Sequence, residues 1–258
     1  MLSLRKGRYI ARMASGPQDI RASQILRYRC FHAAAQGRGA LLTQNNRFAQ
    51  SVDEDPYDAI CEHILVEDQK TKDLVCSFRL FPLQTGADVA RSYSAQHYDL
   101  SDLSGFVGTM LEIGRFCIDP AHVDPDILRI AWGALTKYVD ENQIDMMFGC
   151  TSFQGVDPVL YQDAFGLLRD KYLAPKRFMP RIKAAEVFDF EGDLHSVPDL
   201  KAAMQQMPPL LRTYLTMGGW VSDHAVIDRD LGTLHVFTGI EVGAIPPARA
   251  KLLRMSAA

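Results

Sequence analysis

Three charged side chains stand inside otherwise apolar stretches of this sequence. Arg79 lies in Val75-Cys76-Ser77-Phe78-Arg79-Leu80-Phe81. Glu112 and Arg115 lie in Met110-Leu111-Glu112-Ile113-Gly114-Arg115-Phe116-Cys117-Ile118. A charge in a buried strand is costly unless it is paired, and paired buried charges are often functional. Glutamate can serve as a general base, and arginine can grip a carboxylate through two parallel bonds. In an unbroken strand Glu112 and Arg115 point to opposite faces, and Gly114 marks where a bulge would bring them together. The plain alternative is a buried ion pair with a purely structural role.

Other chemistries find less support. No Walker loop, GxGxxG or GxSxG occurs, so nucleotide-loop and serine-hydrolase readings lose their main support. The seven histidines contain no HxxxH or HxH, the five cysteines no CxxC, and no metal site is expected. Asp53, Asp55 and Asp58 lack the glycine and closing glutamate of a calcium loop. Cys117 has no histidine beside it in sequence and reads as a buried thiol.

The elements that must position these residues can be read from turns and periodicity. Ser15-Gly16-Pro17 starts a helix that runs to about residue 35. Residues 36–58 are polar and irregular. Two β-like runs, 59–67 and 73–81, form a hairpin across Asp68-Gln69-Lys70-Thr71-Lys72. A polar loop over 84–104 leads to a strand over 106–118. Asp124-Pro125 and Asp157-Pro158 each open a helix, with a strand over 144–150 between them. A short strand is expected over 185–190. A helical stretch from Pro198 breaks at Pro208-Pro209 and stops at Gly218-Gly219. Strands over 220–227 and 233–240 complete one α/β domain spanning residues 1–258. Its sheet is mixed, because hairpins and crossovers both occur. Residues 1–15 read as a basic arm and 241–258 as a tail.

Composition narrows the class. With 47% hydrophobic and 23% charged residues, the chain is globular rather than disordered or fibrous. No apolar run approaches the roughly 18–20 residues that span a bilayer, and the charged residues 1–8, with no apolar stretch behind them, are not expected to act as a secretory signal. The scattered cysteines suit reduced thiols in a cytoplasmic compartment. Residues 1–50 hold nine Lys/Arg against the single acid Asp19, a net of +8, and the remainder sums to −11. A second basic stretch runs from Arg169 to Lys183. Such patches favour an acidic partner or an anionic surface, and the basic, partly apolar segment 1–12 suits peripheral contact with an anionic membrane. Neither basic stretch interleaves the aromatics of a nucleic-acid binder.

Four segments in order carry a resemblance: Leu26-Arg27-Tyr28-Arg29-Cys30-Phe31, Asp53-Glu54-Asp55-Pro56-Tyr57-Asp58, Ser77-Phe78-Arg79-Leu80, and Glu112-Ile113-Gly114-Arg115-Phe116-Cys117-Ile118-Asp119. Together they resemble the acyl-carrier-protein-dependent branch of the GNAT acyltransferases, which holds the acyl-homoserine lactone synthases and the ornithine-lipid N-acyltransferases. The last segment and Met207-Pro208-Pro209-Leu210-Leu211-Arg212 look closer to the ornithine-lipid enzymes. Lactone synthases carry a tryptophan after the helix-1 phenylalanine, where this chain has His32-Ala33-Ala34-Ala35.

The resemblance implies a GNAT-like mixed sheet flanked by helices. It places Arg27 and Phe31 near the acyl-phosphopantetheine tunnel and Asp55 and Asp58 as the acidic pair. Arg79 is then the strand arginine, and Glu112 and Arg115 the Glu–Arg pair of the central strand. The glycine loop that cradles a CoA pyrophosphate is replaced here by Pro120-Ala121-His122-Val123-Asp124-Pro125-Asp126. The donor implied is therefore acyl-phosphopantetheine on acyl carrier protein, with no other cofactor.

The reaction implied is aminolysis of a 3-hydroxyacyl thioester by the α-amine of ornithine, giving lyso-ornithine lipid. Glu112 is the expected general base, and Asp55 and Asp58 hold acceptor ammonium groups. Arg115 or Arg79 orients Glu112 or the acceptor carboxylate. The N–H groups near Phe116 stabilise the oxyanion, and Ser152 is a candidate substrate contact beside the pantetheine arm. The competing readings are the same chemistry on glutamine or another amino acid, a lactone synthase, and a non-catalytic carrier-protein or membrane-surface binding module.

Overall fold

The computed structural model describes residues 2–35, 52–194 and 196–257. Arg38, Arg47 and most of the polar stretch 36–58 lie outside the described residues. The chain opens with strands β1 (Ser3–Lys6) and β2 (Tyr9–Met13), helix α1 (Pro17–Ala35), and strands β3 (Glu62–Asp68), β4 (Leu74–Leu83), β5 (Tyr98–Asp99) and β6 (Met110–Ile118). Helix α2 (Pro125–Glu141), strand β7 (Met146–Gln154), helix α3 (Gln162–Lys171) and strands β8 (Arg181–Ile182) and β9 (Val187–Asp189) follow. Helices α4 (Phe190–Asp193), α5 (Leu200–Gln206) and α6 (Pro209–Thr216), strands β10 (Trp220–Val221), β11 (His224–Asp228) and β12 (Thr233–Glu241), and helix α7 (Pro247–Ala257) complete it.

Two compact units emerge. One comprises residues 1–81, 113–143 and 247–258, the other 82–112 and 144–246. Strand β6 passes from the second to the first between Glu112 and Ile113.

In the first unit, β1, β2, β3 and β4 pair antiparallel in sequence order. The segment read as a basic arm is thus the β1–β2 hairpin, turning at Gly7 with φ +57°. Its apolar side chains Leu2, Leu4, Tyr9 and Ala11 are buried in the protein. Strand alternation turns these side chains inward and leaves Ile10 half-buried. Much of the early positive charge is also matched by acids. Arg8 pairs with Asp68, Arg29 lies 3.4 Å from Asp119, and Arg12 lies 2.6 Å from Asp19 and 2.5 Å from Glu67. Part of the charge imbalance along the sequence is therefore balanced within the fold. Helix α7, within the segment read as a tail, packs on α2 and joins it through Arg254 and Asp140.

In the second unit, β6 and β7 are parallel over Met110–Glu112 and Met146–Phe148. All of β7 pairs antiparallel with β12, which also pairs with β10 and β11, and β11 pairs with β9. The sheet is mixed, as expected. Phe153, Phe165, Leu168, Phe190, Leu211 and Val236 are central to its core beneath α3, α5 and α6. The Pro208-Pro209 break separates α5 from α6. The expected helix at Asp157-Pro158 begins as a 3-10 turn, Pro158–Tyr161, before α3. The loop expected over 84–104 carries three 3-10 turns and β5, which pairs with β8. Short polar residues that form local bonds favour such turns over longer elements. Among the described residues no helix is long and apolar enough to cross a membrane.

Gly239 sits inside β12, where glycine ordinarily weakens a strand. Here a methyl group would fall 2.3 Å from the Trp220 ring. We expect Gly239→Ala to lower stability in urea unfolding by about 1–3 kcal/mol through overpacking. In a Trp220→Ala background the same change should cost little, and an unchanged cost would refute the clash.

Candidate active site

The first unit contains a buried ionic network that joins four of its segments. Arg27 comes from α1, Arg79 from β4 and Arg115 from β6, while Asp53 and Asp55 lead into the 3-10 turn Pro56–Ala59 and Asp58 lies within it. That turn is locally determined. Pro56 is fixed at its start, and Asp55 caps it by accepting the Tyr57 N–H at 2.9 Å.

Arg27 is wholly buried. Its guanidinium donates to Asp53 Oδ2 at 2.8 Å and to the two oxygens of Asp58 at 2.6 and 2.9 Å. Arg79 donates to Asp55 and, at 3.1 Å, to Asp58 Oδ1. Arg115 donates to Asp53 Oδ2 at 3.0 Å and Asp55 Oδ2 at 3.2 Å. Gln24 adds a bond to Asp58 Oδ2 at 3.0 Å. Three arginines thus face three aspartates, and planar guanidinium forks meet carboxylates with the geometry that suits both.

Electrostatics follow the pairing. Burial pushes the Arg27 pKa down, but Asp58 and Asp53 outweigh it and the net shift is upward. Burial likewise raises the Asp58 pKa, yet Arg27 overrides this and holds the carboxyl well below its ordinary range. Burial lowers the His63 pKa, and its Nε2 lies 3.1 Å from the Asp58 carbonyl oxygen.

This geometry changes several expected roles. Asp58, expected to hold an acceptor ammonium, has both oxygens engaged by neighbouring donors and is buried. It is a counter-ion inside the fold, because two arginines sit closer to it than solvent does. Asp55 is the most exposed of the three aspartates, at 17% for its side chain. Asp53 belongs to the network although no family role marked it. Arg27 serves this network, and Phe31 lies half-buried on α1. The strand irregularity expected at Gly114 falls on Arg115, whose φ of +51° is uncommon for a non-glycine residue. The next residue, Phe116, is half-buried and stacks on Phe78 with ring centroids 5.0 Å apart.

Glu112 lies in the second unit, 4% exposed. Its Oε2 accepts the Tyr93 N–H at 2.8 Å. Its Oε1 accepts the Ser94 N–H at 2.7 Å and the Ser94 hydroxyl at 2.6 Å. The start of the 3-10 turn Ser94–Gln96 therefore helps to orient Glu112. Cys150 on β7 in turn donates its thiol to the Ser94 hydroxyl at 3.5 Å. Ser94, fully buried, went unnoticed in the sequence because nothing in a polar loop announces a serine that folds back onto a strand glutamate. Ser152 is exposed on β7, opposite His235 of β12. Cys117 is buried beside Ser77, as expected of a structural thiol.

Because Asp58 is held ionised in the folded state, its contribution to stability is complete above the unfolded carboxyl pKa of about 3.9 and is lost as pH falls below it. The urea midpoint of the wild type should fall between pH 5 and pH 2. Asp58→Asn should cost about 3–5 kcal/mol at pH 7, because it leaves buried arginine charge unmatched. It should also flatten the acid decline, and an Asp58→Asn variant that kept the wild-type pH slope would remove Asp58 as its source.

Residues 26–133 match the family described as Acetyltransferase (GNAT) domain. An L-ornithine N(alpha)-acyltransferase of Rhodobacter capsulatus is 32% identical over 242 residues, covering 92% of this chain and 91% of the relative. An enzyme of the same description from Brucella abortus is 30% identical over 245 residues, covering 90% and 84%. Among solved structures, the apo form of TofI covers 95% of this chain and is itself covered to 98%, at 13% identity and a TM-score of 0.49. The two relatives span the ionic network as well as the strand that carries Glu112, and the chain belongs to the L-ornithine N(alpha)-acyltransferase family of GNAT-fold acyltransferases.

Proposed function

We propose that this enzyme moves a 3-hydroxyacyl group from acyl carrier protein to the α-amine of L-ornithine, giving lyso-ornithine lipid. The observation that carries the reading is near full-length similarity to ornithine acyltransferases. The amine nitrogen forms a bond to the thioester carbonyl carbon, the C–S bond breaks, and the amine proton goes by way of the base to the departing pantetheine thiolate. The α-amine is the cheaper nucleophile, since it titrates near ~7.7–8.0, whereas a side-chain amine sits near ~10.4.

Glu112 is the base we assign. The N–H donors on it stabilise the anion and weaken it as a base, so it takes the proton late, directly or through one water. Ser94 positions it. The Phe116 N–H, following the left-handed Arg115, is the oxyanion donor we assign. Ser152 and Cys150 lie on β7 beyond Phe148, where its pairing with β6 has ended, and that edge suits an extended pantetheine arm.

The carrier-bound donor draws support from the start of α2. In a CoA-binding GNAT, backbone N–H groups at such a position would receive pyrophosphate. Here Asp124 accepts the Asp126 N–H at 2.9 Å, Tyr9 donates to Asp124 at 2.8 Å, and Pro125 has no N–H. With Asp126 also in the first turn, the helix start is acidic and already capped, which disfavours a diphosphate. Since Arg8, Arg12, Arg27 and Arg29 are matched internally, docking of an acidic carrier protein would fall instead to the stretch 169–183. Its Arg177 and Arg181 are exposed and form surface pairs with Glu241 and Asp102.

Purified protein supplied with 3-hydroxyacyl carrier protein and an amino-acid panel should yield Nα-acylornithine by mass spectrometry. Acylglutamine would retain the chemistry and overturn the acceptor. Glu112→Gln should lower kcat about 10²–10⁴-fold. Ser94→Ala should lower kcat less and leave KM nearly unchanged, and an unaffected kcat in both variants would remove Glu112 as base.

A further inference from the structure

We propose that His97, His235 and Asp228 form a binding site for a divalent transition-metal cation of the zinc class, independent of the acyl-transfer assignment. One ligand atom from each residue lies within 4.8 Å of the others. His97 ends the 3-10 turn Ser94–Gln96, His235 lies on β12, and Asp228 closes β11. All three belong to the second unit. His235 and Asp228 are buried, whereas His97 is half-buried and leaves a way in.

A buried neighbour sets the tautomer of His235. The Tyr98 hydroxyl donates its proton to the His235 carbonyl at 2.8 Å, and the same oxygen lies 3.1 Å from His235 Nδ1. With its proton given to the carbonyl, that oxygen acts as acceptor toward Nδ1–H. Nε2 is then the lone-pair nitrogen, and a ring whose other N–H is held by an oxygen is the usual arrangement of a metal-ligating histidine. Asp228 receives the Leu231 N–H on Oδ1 at 3.0 Å, which helps fix the carboxylate. The His97 and His235 rings stand nearly perpendicular with centroids 5.0 Å apart.

Two imidazoles and one carboxylate suit zinc, cobalt or nickel rather than calcium or magnesium, which take oxygen ligands. Bonds of about 2.0–2.2 Å require the ligand atoms to draw in by roughly 1 Å, and the fourth position stays open to water. The His97 backbone N–H donates to the Ser94 carbonyl at 3.1 Å, so an ion here would fasten the turn that holds Glu112 to β11 and β12.

The test is a cobalt(II) titration of the full-length, chelator-treated protein followed by its visible d–d absorption, with zinc competition. We expect saturation at one ion per chain, displacement by zinc, and at least tenfold weaker binding in both His97→Ala and the isosteric Asp228→Asn. Should His97→Ala fail to fold by circular dichroism, Asp228→Asn reads the same loss. His122→Ala, which alters a histidine near Asp119 and Asp73, should bind as the wild type does. Absence of saturable binding, wild-type affinity in Asp228→Asn, or loss of binding in His122→Ala would each overturn the site. None of these readouts involves acyl transfer.

Discussion

Burying a guanidinium without solvent demands that carboxylates meet it from several sides, and Arg27 imposes that demand on the whole first unit. It lies on α1 with no exposure, and its partners come from a segment about thirty residues further on. Arg79 and Arg115 then share the same aspartates, so α1, the Asp53–Asp58 segment, β4 and β6 are tied at one point. Each charge is tolerable only because the others are present. Such a network supplies geometry more than net stability. It holds β6 at Arg115, next to the residue whose N–H is assigned to the oxyanion.

Glu112 is held by a different device. Backbone N–H groups and one hydroxyl fix its carboxylate in the second unit, and those donors come from a short 3-10 turn. Backbone donors fix a carboxylate's position without bringing a formal charge beside it. One strand thus carries two charged residues, one met by aspartates and one by a backbone turn. Arginine–aspartate forks require residues of particular type, whereas N–H donors require only a backbone path.

The donor question turns on charge at a helix start. An Asp-Pro-Asp sequence makes an effective helix cap, and the same residues make a poor phosphate cradle. The same three residues thus carry the local folding signal and the argument for the proposed carrier-bound donor. The hairpin of β1 and β2 shows the converse, since its arginines suggest a surface for acidic partners until the strand pairing sets Arg8 against Asp68 and Arg12 against Glu67.

Local physics was legible in the sequence. The helix starts at Pro17 and Asp124-Pro125, the β3–β4 hairpin and the Pro208-Pro209 break rest on backbone preferences that act over a few residues. The charges at Arg79, Glu112 and Arg115 stood out because apolar strands ordinarily exclude them, and the ordered motifs around them indicated the acyltransferase family. Only the tertiary structure decided which partner each charge takes. Asp58 could have faced a substrate or an arginine, and Glu112 an arginine or a backbone turn. Ser94 lay in an unmarked loop, and His97 and His235 are far apart in the chain. Local sequence fixes backbone conformation over short range, whereas the partner of a buried charge depends on which distant segments the strand pairing brings beside it.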